Sequence, residues 1–309
     1  MAWLRALGSY LPSRVVDNAE LAPLVGADAA WLLRATGIAE RRWAAPEETV
    51  ASLGIAAAAD CLAAAGIPAA DVGMVIVASG SAERRFPGPA ATIAAGAGMA
   101  GKPAIDLPMA SAGSLFAIAM AAELTRPYGN VLVVASEIMS RVVRLDPEGR
   151  DTAILFGDGA GACLVSRDAG FAEIADAELA TDGEFSEALR LEFDAPLHMD
   201  GRAIILQASR KLPRAIGALL ERNHVPPTEV ETYLLHQANL NLIARVAQAV
   251  GAPEDRFFRN IARYGNTSSA SLLIAATEWW RGGDGTLREP IVLAAFGAGL
   301  NWGAVLAKP

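Results

Sequence analysis

The stretch AIDLPMASAGSLFAIAMAAELTR, Ala104–Arg126, decides how the rest of the chain is read. It predicts a buried strand over Ala104–Leu107, a turn of small residues, and then a helix. The helix is apolar on nearly every face, through Leu115, Phe116, Ile118, Met120 and Leu124 with alanines between them. Only Glu123 and Arg126, near its end, carry charge. A helix of that kind belongs in the middle of a large protein, and it is too short to span a bilayer. Ser111 stands at its start, where free backbone N–H groups and the positive end of the helix dipole point outward. Ala112 and Gly113 beside it permit close approach by another backbone or a ligand. Such a hydroxyl suits an acyl-enzyme nucleophile. It equally suits a plain N-cap, since serine is favoured there.

The chain outside this stretch fits a big apolar fold. Its 309 residues are 53% hydrophobic, enough for one large domain or two intimate halves. The net charge of −8 argues against general binding of nucleic acid or a membrane surface, so local arginines must meet any anionic ligand. Neither of the two cysteines, Cys61 and Cys163, lies in a metal-type cluster, and no metal is expected. No leader-like segment stands at Met1–Tyr10 and no apolar run has membrane length, so the cytoplasm is the expected location.

In order, a strand at Trp3–Leu7 precedes short helices at Asp17–Leu21 and Asp28–Arg34. TGIAERRW, Thr36–Trp43, reads as a polar, basic loop. A long helix over Glu48–Ala65 stops at Gly66 and Pro68. Val72–Ser79 and Asn130–Ala135 are continuous apolar strands of the kind covered on both faces. Gly183–Asp200 has no clear period. Ala203–Arg222 and Leu240–Val250 read as helices, and Pro290–Ala294 and Trp302–Ala307 as the last strands.

The second half echoes the first. Val72–Ser79 answers Val230–Leu235, and the helix start at Ser111 answers that at Thr267. Asn130–Ala135 answers Pro290–Ala294, and Phe156-Gly-Asp-Gly answers Phe296-Gly-Ala-Gly. Two tandem α/β units, 1–168 and 169–309, follow from this pattern. Their two central helices would bring Ser111 and Asn266 to one cleft.

Of the three histidines, only His236 directly follows a buried strand, where α/β sites form. A structural histidine fits the same position, and turn-and-cap chemistry accounts equally well for Asn266 in GNTSSAS. Asp158 in FGDGAG reads as a loop pin.

These residues carry a resemblance. TGIAERRW, the unit at Ser111, DPEGRDTAILFGDGAGA (Asp146–Ala162), HQANLNLI (His236–Ile243), YGNTSSAS and AAFGAGLNWGAVL run nearly end to end in family order. The chain resembles the β-ketoacyl-acyl-carrier-protein synthase III group of the thiolase superfamily. That resemblance implies an α/β thiolase fold of five layers, αβαβα, with two sheets, and a homodimer. It implies an acyl group loaded on residue 111 and then decarboxylative Claisen condensation with a malonyl thioester. His236 and Asn266 carry over as the partners of residue 111, and the backbone N–H groups of Ser111 and Ala298 as the oxyanion hole. Trp31, Arg150 and Asn239 carry over as contacts of coenzyme A, and Phe86 as the residue that a dimer partner inserts into the acyl pocket. Coenzyme A or a phosphopantetheine thioester enters as substrate, from acyl-CoA or an acyl carrier protein, and no cofactor is implied.

The chain departs from the family pattern in three places. Ser111 stands where the family has a nucleophilic cysteine. Ala35 stands where an arginine is usual, with Arg34 one position earlier, and Asn241 replaces a further basic residue. A serine needs a general base within hydrogen-bond reach, for which His236 is the candidate. Three readings stay open: condensation; acyl transfer from Ser111 to an alcohol, amine or carrier; and an inactive cysteine-to-serine form or non-catalytic partner subunit. Arg210, Lys211 and Arg214 form either a carrier-docking face or merely a solvated one.

Overall fold

The computed structural model describes residues 1–309. The first half runs β1 (Trp3–Tyr10), β2 (Arg14–Asp17), α1 (Asn18–Leu24), α2 (Ala29–Thr36), β3 (Glu40–Trp43), α3 (Val50–Ala65) and β4 (Met74–Ala78). It continues through α4 (Pro89–Gly96), β5 (Ala104–Leu107), α5 (Gly113–Tyr128), β6 (Asn130–Ile138), α6 (Arg150–Ala153) and β7 (Asp158–Ser166). The second half holds β8 (Ala172–Thr181), β9 (Leu189–Arg190), β10 (His198–Met199), α7 (Gly201–Arg222), β11 (Thr232–Leu235) and α8 (Leu240–Val250). It closes with α9 (Ile261–Tyr264), α10 (Ser271–Gly282), β12 (Ile291–Gly297) and β13 (Asn301–Lys308).

Local chemistry sets many of these boundaries. Asp17 and Asp28 accept amide hydrogens at the starts of α1 and α2. Thr49 and Ser52 close a reciprocal capping box on α3, and Gly66 in the left-handed region ends it.

The strands of the two halves pair in the same pattern. β4 runs parallel to β6, and β6 antiparallel to β7, which pairs with β1. β11 likewise runs parallel to β12, and β12 antiparallel to β13, which pairs with β8. Two sheets were expected. Two residue pairs between β1 and β8, Trp3 with Glu173 and Leu4 with Ala172, join the halves into one nine-stranded sheet, β11-β12-β13-β8-β1-β7-β6-β4-β5.

The core divides into layers. α5 and α10 lie between the two half-sheets in the largest apolar cluster, which draws side chains from both. α3 and α4 cover the outer face of the first half-sheet, and α7 and α8 that of the second. Helix, sheet, helix pair, sheet, helix gives the five layers expected. No helix is long and apolar enough to cross a membrane.

Two local expectations need correction. β5 is the sheet's edge strand and only half-buried, because its length and apolar character did not encode which neighbour it would lack. The basic loop TGIAERRW contains β3, antiparallel to β2, and its Arg41 is fully buried. Arg41 has no carboxylate partner. Its guanidinium donates to Val16 O, Asn18 Oδ1 and Ile154 O, and desolvation lowers its pKa to about 10. It ties β2 to the chain before Phe156 through carbonyls.

Candidate active site

Ser111 is not the cap of α5. Ala112 fills that position without a side-chain bond, and Ser111 stands before it at φ +60°. An L-residue held in the left-handed region is strained and exists only where its surroundings impose it. Gly297, the last residue of β12, is part of that imposition. A Cβ there would lie 2.4 Å from Ala110 O and 2.8 Å from both Ala112 N and Ser111 Cβ. Gly113 fits similarly tightly, since its Cβ would meet that of Ala78 at 2.9 Å. Small residues let the end of β12 press against the elbow that lifts Ser111.

Ser111 lines a cavity of about 90 Å³ together with His236, Asn266, Phe296 and Gly297, and its remaining wall is largely aliphatic. The three residues singled out from sequence therefore meet in one apolar hollow. Neither cysteine reaches it. Both are buried and unpaired, and burial pushes Cys61 up to about 12 and Cys163 well above the usual thiol range.

His236 follows β11, and its N–H donates to Ala294 O at 2.8 Å. Desolvation lowers its pKa to about 4, so the imidazole is neutral near pH 7. Nδ1 lies 2.5 Å from Ser271 Oγ. Asn266 is bound on both sides of the chain: its N–H reaches Leu155 O at 2.9 Å, and its C=O accepts Gly157 N at 3.1 Å. Its Oδ1 accepts Ser268 N–H at 2.8 Å, which leaves its NH₂ without a protein partner. Ser111 Oγ makes no hydrogen bond to either ring nitrogen.

Of the two amides expected to form an oxyanion hole, one is occupied in this resting structure. Ser111 N–H donates to Ser268 Oγ at 3.1 Å. Ala298 N–H has no partner, while Ala298 O accepts the side-chain amide of Asn301.

The remaining candidates scatter. Trp31 and Arg150 face each other, with the guanidinium 5.4 Å from the indole centroid, and neither lines the cavity. Asn239 does line it, but its Oδ1 caps α8 by accepting Asn241 N–H and its Nδ2 donates to Ala35 O. Asn241 Nδ2 reaches the same carbonyl at 3.4 Å, so two of the three departures from the family pattern touch one another. Phe86 is 86% exposed and lines a separate groove with Arg85 and Phe193. On α7, Lys211 is ion-paired with Asp182 and stacked over Trp302, while Arg210 and Arg214 are exposed. Asp158 is the pin expected of it: fully buried, it accepts Ala44 N, Ser140 N and Ser140 Oγ. Burial nevertheless raises its pKa.

Three supporting residues went unread in the sequence. Ser268 and Ser271 lie in GNTSSAS, where serines look like ordinary cap chemistry, so only their partners reveal them. Glu137 is fully buried without a cation. Its carboxylate accepts from Ser79 Oγ, the amides of Gly80 and Ser81, Ser81 Oγ, and both the N–H and Oγ of Ser269. It thereby ties the end of β4 to the turn that holds Ser111.

Known proteins share this fold. The sequence profile of 3-oxoacyl-[acyl-carrier-protein] synthase III matches residues 105–183, and that of its C-terminal part matches residues 220–308. A β-ketoacyl-[acyl-carrier-protein] synthase III of Oleidesulfovibrio alaskensis is 34% identical over 99% of this chain and 98% of its own length. The chain belongs to the 3-oxoacyl-[acyl-carrier-protein] synthase III family. A second member, synthase III 1 of Vibrio vulnificus, is 37% identical over 97% of each chain. The crystal structure of the synthase III from Aquifex aeolicus superposes with a TM-score of 0.95 at 33% identity, over the whole of both chains. The priming β-ketosynthase of the R1128 polyketide pathway gives 0.89 at 31% identity, over 100% of this chain and 96% of its own.

Proposed function

We propose that this chain is a condensing acyltransferase in which Ser111, His236 and Asn266 do the chemistry. An acyl thioester, carried on coenzyme A or a carrier protein, esterifies Ser111 Oγ and releases its thiol. A malonyl thioester then loses CO₂, and its enolate attacks the ester carbonyl and expels Ser111. His236 and Asn266 serve the enolate oxygen, and Ala298 N–H serves the tetrahedral oxyanion. One such donor typically lowers the barrier by about 2.7–4 kcal/mol.

The state of Asn266 carries this reading. Its oxygen is taken by Ser268 N–H, so it offers the cavity an N–H donor, the group an enolate needs. Acyl transfer to another acceptor remains the second reading because Ser111, not a thiol, lines the cavity. Trp31 and Arg150 are proposed to hold a nucleotide end outside it, and Phe86 to reach a partner subunit in a homodimer.

Intact-protein mass spectrometry with a panel of acyl-CoA and acyl-carrier donors, followed by assay of CO₂ released from a malonyl thioester, tests the proposal. The expected result is an acyl adduct on the parent that is absent from Ser111→Ala, with CO₂ release coupled to β-ketoacyl product. Ser111→Cys should load acyl groups faster by on the order of a hundredfold, since a thiol at a helix start ionises far more readily. Adduct formation with no malonyl dependence would replace condensation by simple acyl transfer. An adduct on Ser111→Cys alone would mark residue 111 as disabled in the parent.

A further inference from the structure

His236 has two ring nitrogens, and which of them carries the proton decides whether the ring gives or takes a hydrogen bond in the cavity. Nδ1 sits 2.5 Å from Ser271 Oγ. The same oxygen accepts the backbone N–H of Gln237 at 3.0 Å. That amide is rigidly held, because the Gln237 side chain donates to Leu235 O and Phe258 O and accepts Asn260 N–H. A hydroxyl offers one proton and two lone pairs. Gln237 takes a lone pair, and Ser271 Oγ has no third partner. Ser271 is buried as the first residue of α10, and its hydroxyl makes no bond to the carbonyl one turn back. Its proton therefore has one acceptor, Nδ1. If Nδ1 carried the hydrogen instead, two donors would converge on Oγ and the hydroxyl proton would be buried without a partner, which folded proteins avoid.

We propose that Ser271 is a positioning residue that holds His236 in the tautomer protonated on Nε2, so that the ring meets substrate as a donor and not as a base. Nε2 has no protein partner and is not sealed from the cavity. His236 and Asn266 then present two N–H donors to the same space, so the base role expected of His236 toward Ser111 is given up and the Ser111 proton passes to the departing thiolate of the acyl donor. The catalytic consequence rests on the condensing reading above; the tautomer rests on hydrogen-bond geometry alone.

The test is ¹⁵N NMR of the histidine-labelled parent protein near neutral pH. Only three histidines exist, and His198→Gln and His224→Asn identify the other two. The expected spectrum has Nε2 of His236 protonated and Nδ1 bare, and a protonated Nδ1 overturns the proposal whatever the enzyme turns over. Ser271→Ala should give a mixture of tautomers and lower kcat for CO₂ release from a malonyl thioester by at least about tenfold with KM unchanged, and Ser271→Thr should restore both. A Ser271→Ala protein that keeps the Nε2 tautomer and the parent rate also overturns it. If the parent releases no CO₂ at all, the condensing reading fails, and the spectrum still decides the role of Ser271.

Discussion

Ser111 and Ser268 occupy matching places in the two halves of the molecule. Each lies just before one of the paired central helices, and each has a left-handed backbone, with φ +60° and +47°. Their hydroxyls differ in use. Ser111 Oγ faces the cavity with no partner, whereas Ser268 Oγ is buried and accepts the N–H of Ser111 itself. Two strained turns of matching placement thus differ in use, and chemistry is proposed for only one of them. Backbone strain is common to both turns, so what supports a nucleophile at Ser111 is the strain together with the cavity it lines. The second turn acts as a brace, itself held by Asn266 and, through Ser269, by Glu137.

The largest effect should come from breaking the tight side of the comparison. Gly297→Ala would drive a Cβ into Ala110 O and Ser111 Cβ. Activity should fall on the order of a hundredfold, because displacement of a reacting group by about 1 Å costs that much. Circular dichroism should remain that of a folded protein, and a variant with parent kcat would show that the elbow does not need this contact.

His236, facing Ser111 across the hollow, should leave a mark on stability. Its folded pKa of about 4 lies below its unfolded value near 6.5. The unfolded chain then binds the extra proton first, so this contribution is intact above pH about 6.5 and lost as pH falls toward 4. The loss should reach up to about 3 kcal/mol in denaturant titrations, and His236→Gln should abolish that part of the slope. An unchanged slope would place the ring in contact with solvent.

The smallest and sharpest comparison is between the two turns themselves. Ser268→Ala should cost about 1–3 kcal/mol by leaving the Ser111 amide without its acceptor. Glycine should be better tolerated than alanine at both 111 and 268, by roughly 0.5–1 kcal/mol, since each relieves the same backbone strain. A glycine advantage at one position only would break the equivalence of the turns.

Much of the site was legible in one dimension. Ser111, His236 and Asn266 each follow a strand or turn whose pattern is local, and all three reached the same cavity. Asp158 read correctly as a pin because FGDGAG sits between two core segments. The supporting shell was not legible. Ser271 and Ser268 are two serines in a run of turn-forming residues, and Glu137 is one acid at the end of an apolar strand. Arg41 looked like surface charge because a pair of adjacent arginines normally is.

By itself the sequence determined the order of most strands and helices, the family, and the three residues proposed for the site. Periodicity, caps and glycine positions act over a few residues and are written where they act. Only the tertiary structure decided that the half-sheets join through β1 and β8, that β5 is an edge, and that Asn239 caps a helix as well as lining the cavity. It also decided which hydroxyl is free and which is spent. Several of those outcomes depend on partners far apart in the chain, 157 residues between Ser111 and Ser268, and a small polar side chain carries no local sign of the partner it will meet.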